Sequence, residues 1–382
     1  MMKLLAVSHN LNLEGAAISM FEMISAVSTQ SDLEPIVMSF QNGPLAARYQ
    51  EKNISMMSLP FSEGMLRREK EIETAIGELA NLIEKLEIEM VYGNTFLAYP
   101  AIIAAHRSGR PSVWNIRESQ SIDYWQTYLG SRLELAMDAL SKASKIVFVS
   151  QATKTLWKER VAEIADDCIP NALNTAEFLN RKTGLSRESW REMHQIPTDA
   201  CVFLCVGTFH ERKGQMDILQ ALSRVQVDGV PAVGVLIGDA GGEYSEAMNA
   251  YCMGRQVDCR LLPKTDMILD GYQAADVFIC SSRNESYPRI ILEAMECGLP
   301  IITTNVFGIA EQVEFGENAL EYAPGDVDAL ANAIGLLCAN VEKRKAMAEK
   351  SLALTRRHIT FADMTKRYAD IFENITGHIS VP

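Results

Sequence analysis

The chain has 382 residues, 48% of them hydrophobic and 22% charged, with a formal net charge of −13; this length suits two domains, each able to bury its own core. The acidic balance argues against general nucleic-acid binding, whose usual footprint is a basic patch. Eight cysteines without a Cys-x-x-Cys pair give no support to a disulfide framework or a thiolate metal site, and no apolar run approaches membrane-spanning length. With no secretory signal pattern at the start, the expected setting is cytoplasmic, with at most peripheral contact at the inner membrane face.

Lys3 to Val7 is a compact apolar run of strand type, followed by the loop Ser8 to Glu14 and a helix opening at Gly15, where backbone can approach a ligand closely. Further strands are expected at 35–40, 54–59, 90–92, 112–116 and 145–150, with helical stretches between them. Ile72, Ile76, Leu79, Ile83 and Leu86 recur at helical spacing, the pattern of a helix packing one face on a sheet. Arg67, Arg68 and Lys70 read as a solvated helix face. Alternating strand and helix over this length implies a parallel, doubly wound sheet, whose ligand crevice lies at the carboxyl ends of its strands. Arg117-Glu118 stands at such an end. His9 alone reads as a structural histidine.

Arg181-Lys182-Thr183-Gly184 is polar and reads as a linker before a helix ending near His194. Cys201 to Val206 is a buried strand, and Arg212 and Lys213 follow it just before a helix from about Gln215. A helix start is electropositive, so two cations there oppose the macrodipole unless an anion is expected between them. The segment 237–242 lacks the Gly-x-Gly-x-x-Gly spacing, which disfavours a nicotinamide oxidoreductase and leaves a turn. Asp326-Val327-Asp328 precedes a helical run and reads as an N-cap, so no metal and no cofactor is expected.

Between these lies the stretch that organises the chain, residues 276–304. Asp276 to Cys280 and Ile301 to Thr304 are strand-like, and between them Pro288 suits a first helical position while Gly298 and Pro300 end the helix. Glu285 sits in the loop and Glu293, eight positions on, among apolar helical residues where a carboxylate needs a donor. Eight helical residues rise roughly 12 Å, beyond the roughly 5 to 9.5 Å at which two carboxylates flank one glycosidic bond. The pair suits the two ends of one long ligand with an anionic middle at the helix start, the shape of a nucleotide-sugar.

Glu285 and Glu293, with the intervening Ser286-Tyr287-Pro288-Arg289-Ile290-Ile291-Leu292 and the trailing Ala294-Met295-Glu296-Cys297-Gly298-Leu299-Pro300, resemble the E-x7-E signature of family-4 retaining glycosyltransferases (glycosyl transferases group 1). Lys213-Gly214, Ile169-Pro170-Asn171-Ala172 and Tyr272-Gln273-Ala274-Ala275-Asp276 resemble further segments of that family, as does Arg260 to Lys264, whose counterpart lines the nucleotide base. The resemblance implies the α/β GT-B fold: two Rossmann-like doubly wound parallel-sheet domains with an interdomain cleft. An acceptor domain would span 1–178, joined by a crossover helix at about 357–376, and a donor domain 179–356.

The implied activity is retaining, metal-independent transfer of a sugar from a UDP- or GDP-sugar to a carbohydrate, lipid-linked or small-molecule acceptor. Arg212, Lys213 and Glu285 are the implied catalytic residues, with Arg212 substituting for an arginine the family carries at the position of Thr208. Gly15, Ser286, Tyr287, Arg289, Ile290 and Glu293 are the implied donor-binding residues, Glu293 taking the ribose diol. His9, Glu14, Arg117 and Glu118 fall on the acceptor side, Glu14 replacing a family glycine and Arg117-Glu118 a family His-Asp. A nucleotide-sugar epimerase or hydrolase of the same fold, and a non-catalytic nucleotide-sugar-binding protein, are the alternatives.

Overall fold

The computed structural model describes residues 1–59, 69–161, 164–225, 229–238 and 241–377. Arg67 and Arg68, and Asp239 and Ala240 of the expected turn, lie outside the described residues. Two compact units emerge: Met1–Asn171 together with the chain from Phe361, and Ala172–Thr360.

The first unit is built on seven parallel strands: β1 (Met2–Ser8), β2 (Leu33–Ser39), β3 (Ser55–Ser58), β4 (Met90–Asn94), β5 (Ser112–Ile116), β6 (Lys145–Phe148) and β7 (Asp166–Cys168), in the order β3-β2-β1-β4-β5-β6-β7. Leu4, Leu5, Ala6 and Val7 are all fully buried, as a central strand covered on both faces must be. Leu4 pairs with Pro35 on one side and Met90 on the other. The edge strand β7, Asp166-Asp167-Cys168, carries no apolar run, which is why its sequence gives no strand signal. Helix Glu69–Lys85 buries Ile72, Ile76, Leu79 and Ile83, the stripe its periodicity predicts. The final helix, Phe361–Thr376, packs Tyr368 and Phe372 edge-on against Tyr92 at centroid distances of 6.1 and 5.9 Å.

The second unit repeats the plan with six parallel strands: β8 (Cys201–Val206), β9 (Ala232–Gly238), β10 (Cys259–Pro263), β11 (Val277–Cys280), β12 (Ile301–Thr304) and β13 (Ala319–Tyr322), ordered β10-β9-β8-β11-β12-β13. Phe203, Leu236, Ile279 and Ile302 from the sheet meet Leu219, Leu330, Ile334 and Leu337 from helices in one core. Asp326 caps its helix by accepting from Ala329 N at 2.9 Å.

Strand order reverses between β1 and β4 in the first sheet and between β8 and β11 in the second. Such switch points leave a crevice at the strands' carboxyl ends, because the flanking connections run to opposite faces. The loops after β1, β4 and β5, and those after β8 and β11, lie at these carboxyl ends.

Candidate functional site

After β8 the chain runs Gly207 to His210, makes one tight turn over Glu211–Lys213 and enters helix Gln215–Leu222 through Gly214. Gly214 has φ +67°, and a Cβ there would stand 2.2 Å from Ser281 O. Only glycine satisfies both constraints. The close approach lets the loops after β8 and β11 lock together: Ser281 Oγ donates to Lys213 O at 2.7 Å, and Arg283 N to Arg212 O at 2.8 Å.

The lock brings three predicted residues into one cluster. Lys213 Nζ donates to Glu285 Oε1, Arg212 NH1 lies 3.3 Å from the same oxygen and also donates to Asn284 O at 2.8 Å, and Ser282 Oγ donates to Oε1 at 3.2 Å. Burial pushes the Glu285 carboxyl up, but Lys213 and then Arg212 outweigh it and hold it below the usual carboxylate range. Glu285 is therefore the resting anion between the two cations. Ser286 and Tyr287 follow, both buried, and Tyr287 Oη lies 3.3 Å from His358 Nδ1, whose Nε2 faces Gln312 O at 3.0 Å.

Pro288 is not the first helical residue. It has extended geometry, φ −69° and ψ 125°, and caps a helix that begins at Arg289 and runs to Glu296; its carbonyl accepts from Gln312 Nε2 at 3.0 Å. The cap must be extended, and a fixed φ tolerates that as readily as helix. Gly298, at φ +67°, ends the helix in the left-handed cap the sequence predicts. Arg289 is buried on this helix and Ile290 half-buried.

Glu293 lies on the buried face, 5% exposed. Its partners come from two places in the chain: Tyr272 Oη donates to Oε2 at 2.9 Å, and Arg181 NH1 forms an ion pair with Oε1 at 3.6 Å. Neither is singled out for this site by the sequence: Tyr272 opens a segment that resembles the family, and Arg181 reads as linker. The Arg260 guanidinium, on β10, donates to His194 O at 2.8 Å and to Gln195 O at 2.5 Å.

In the first unit Gly15 opens helix Gly15–Gln30, and a Cβ there would meet nothing within 4 Å. The space over its backbone is open. Glu14 caps that helix in extended geometry and turns back into its own loop, accepting from Asn10 Nδ2 at 3.2 Å with His9 Nε2 at 4.0 Å. Arg117 Nε donates to Asn94 Oδ1 at 2.8 Å and NH1 to Asn171 Oδ1 at 2.6 Å. Glu118 accepts from Phe96 N at 2.9 and 3.0 Å and from Arg117 N at 2.9 Å. Burial outweighs those backbone donors and pushes its carboxyl up to about 7.

Beside them Thr95 has φ 79° and ψ 161°, a region open essentially to glycine alone, at a cost of about 1–3 kcal/mol. Its carbonyl accepts from Trp114 Nε1 at 2.7 Å, its N–H donates to Asn115 O at 2.9 Å, and its hydroxyl lies 3.4 Å from His9 Nδ1. The first-unit residues His9, Glu14, Arg117 and Glu118 thus gather around the ends of β1, β4 and β5. Asn94 and Thr95 belong with them and carry no motif that could have announced them.

Each unit is a Rossmann-like domain with polar and charged side chains collected at its switch point. Residues 186–353, within the second unit, match the family described as glycosyl transferases group 1. An uncharacterized glycosyltransferase of Haemophilus influenzae is 24% identical over 304 residues, 78% of each chain. The N-acetyl-alpha-D-glucosaminyl L-malate synthase of Bacillus anthracis is 25% identical over 202 residues, so this chain spans about half of it, 52%. Among solved structures, Anabaena Alr3699/HepE in complex with UDP-glucose superposes with a TM-score of 0.83 at 20% identity, covering 98% of this chain and 100% of that one. Sucrose-phosphate synthase from Thermosynechococcus elongatus does so at 0.81 and 16%, covering 99% and 100%. These likenesses establish the fold, GT-B. No helix among the described residues is long and apolar enough to cross a membrane.

Proposed function

We propose that the protein is a hexosyltransferase of the retaining, metal-independent type, moving a sugar from a UDP- or GDP-sugar to a carbohydrate, lipid-linked or small-molecule acceptor in the cytoplasm. The observation that carries this reading is the cluster at the second switch point, where Arg212 and Lys213 converge on one carboxylate oxygen. Two cations held together at the crevice, with a single carboxylate between them, match the needs of a diphosphate leaving group.

In this reading the donor diphosphate takes the place of Glu285 beside Lys213 and Arg212, and the released carboxylate accepts from hydroxyls of the donor sugar. Ser286, Tyr287, Arg289 and Ile290 shape that end of the site, and Glu293 accepts from the ribose diol. The bond between the anomeric carbon and the leaving phosphate oxygen breaks as the acceptor oxygen bonds to that carbon on the same face. The acceptor's proton passes to the departing phosphate, so charge builds where the cations stand. No protein nucleophile is needed. The acceptor is assigned to the first unit, where His9, Glu14, Arg117 and Glu118 gather and Gly15 leaves room for a ligand.

Radiolabelled UDP- and GDP-sugars, incubated with the protein and an acceptor extract in the presence of EDTA, test this. The expected result is a transferred glycoside with the anomeric configuration of the donor, in undiminished yield with the chelator. An inverted product, or free or epimerised sugar as the sole product, contradicts it.

A further inference from the structure

The proposed ribose contact requires the Glu293 carboxylate to be fixed in direction and still able to accept from a ligand. Its side chain is only 7% exposed, and a charge at that depth needs compensation. Tyr272 satisfies Oε2 with a direct hydrogen bond of 2.9 Å. Arg181 stands 3.6 Å from Oε1, near enough to compensate the charge and too far for a hydrogen bond. Oε1 consequently keeps lone pairs for a ligand's hydroxyls.

Arg181 is itself held. Its side chain is 13% exposed, Nε donates to Asp266 O at 3.2 Å, and NH2 lies 3.6 Å from Asp266 Oδ1. Its carbonyl accepts from Leu269 N at 3.0 Å. Two residues on, Thr183 donates from both N and Oγ1 to Asp270 Oδ2, at 2.9 and 2.7 Å. The segment 181–183 is thereby laced to the first turn of helix Leu269–Ala274, which carries Tyr272. One assembly reaches Glu293 with two arms, one on each oxygen.

We infer that Arg181 is the positioning residue for Glu293: it holds the carboxylate turned so that Oε1 meets a ribose diol, and so gives the site its preference for a ribonucleotide over one lacking the 2′ and 3′ hydroxyls. This deepens the nucleotide reading above and rests on it. An ion pair that only stabilised the fold would lower the unfolding temperature when broken and leave that preference untouched.

Calorimetric titration with UDP and with its 2′,3′-dideoxy analogue, and with the corresponding GDP and ADP pairs, separates the two. It is run on the parent protein, Arg181→Met, Arg181→Lys and Glu293→Gln, with thermal unfolding of each recorded alongside. The parent is expected to prefer the ribonucleotide by about tenfold, the scale of one or two hydrogen bonds to a charged group. Arg181→Met and Glu293→Gln are expected to abolish the preference while binding the dideoxy analogue as the parent does, and Arg181→Lys to recover part of it. The double variant should show no further loss, since the two residues act as a unit. Preference kept in Arg181→Met but lost in Glu293→Gln overturns the role of Arg181 and leaves the nucleotide reading standing. A parent that binds but shows no preference overturns the ribose contact and this inference together, and a parent that binds none of the nucleotides overturns the donor site as well. Should Arg181→Met fail to fold, Arg181→Gln reads the same quantity.

Discussion

Glu118 has a carboxyl raised to about 7 while it accepts backbone donors from Phe96 and Arg117. An unfolded glutamate titrates at about 4.3, so the folded protein holds the proton more tightly. The stability this contributes is complete below about pH 4.3 and is lost as pH rises through about 7. Glu118→Gln removes the titration. The unfolding temperature of the parent relative to this variant should therefore fall between about pH 4.3 and pH 7 and level off above, as measured by differential scanning calorimetry; a difference that stays constant would place the carboxyl at an ordinary value. At this scale the charged residues themselves were legible and their partners were not. Arg117 sits visibly at a strand end, but nothing in the chain announces that Asn94 and Asn171 would take its guanidinium.

The element that matters most is the pair of loops locked through Gly214. Gly214→Ala places a Cβ against the Ser281 carbonyl and forces the left-handed region on a residue that resists it. We expect a loss of about 2 kcal/mol or more in denaturant unfolding, together with weakened nucleotide binding, because the loops that carry Lys213 and Glu285 must separate. Unchanged stability would mean that the loops are not held together there. The helix that carries Glu293 was readable from its local punctuation, since glycine and proline constraints act within a few residues; its start shifts from Pro288 to Arg289. Arg181, Tyr272 and His358 were not readable as site residues. Each reaches the central stretch from elsewhere in the chain, and a local pattern holds no record of such pairings.

For the molecule as a whole, alternating apolar runs and helical stripes sufficed for two parallel sheets, because burial on both faces leaves continuous hydrophobic runs. The polar edge strand β7 escaped for the same reason. Strand order, and with it the switch points, is long-range information that becomes visible only in the sheets. Those switch points turn scattered candidates into the two clusters described. The central claim, that the second of them holds a nucleoside diphosphate between Arg212 and Lys213, is tested most directly by titrating the protein with UDP, GDP and ADP in the presence of EDTA, alongside Lys213→Ala. The account predicts saturable binding of at least one nucleotide to the parent, with affinity about tenfold or more lower in the variant, the loss of one charge-assisted contact. Equal affinity in parent and variant would contradict it.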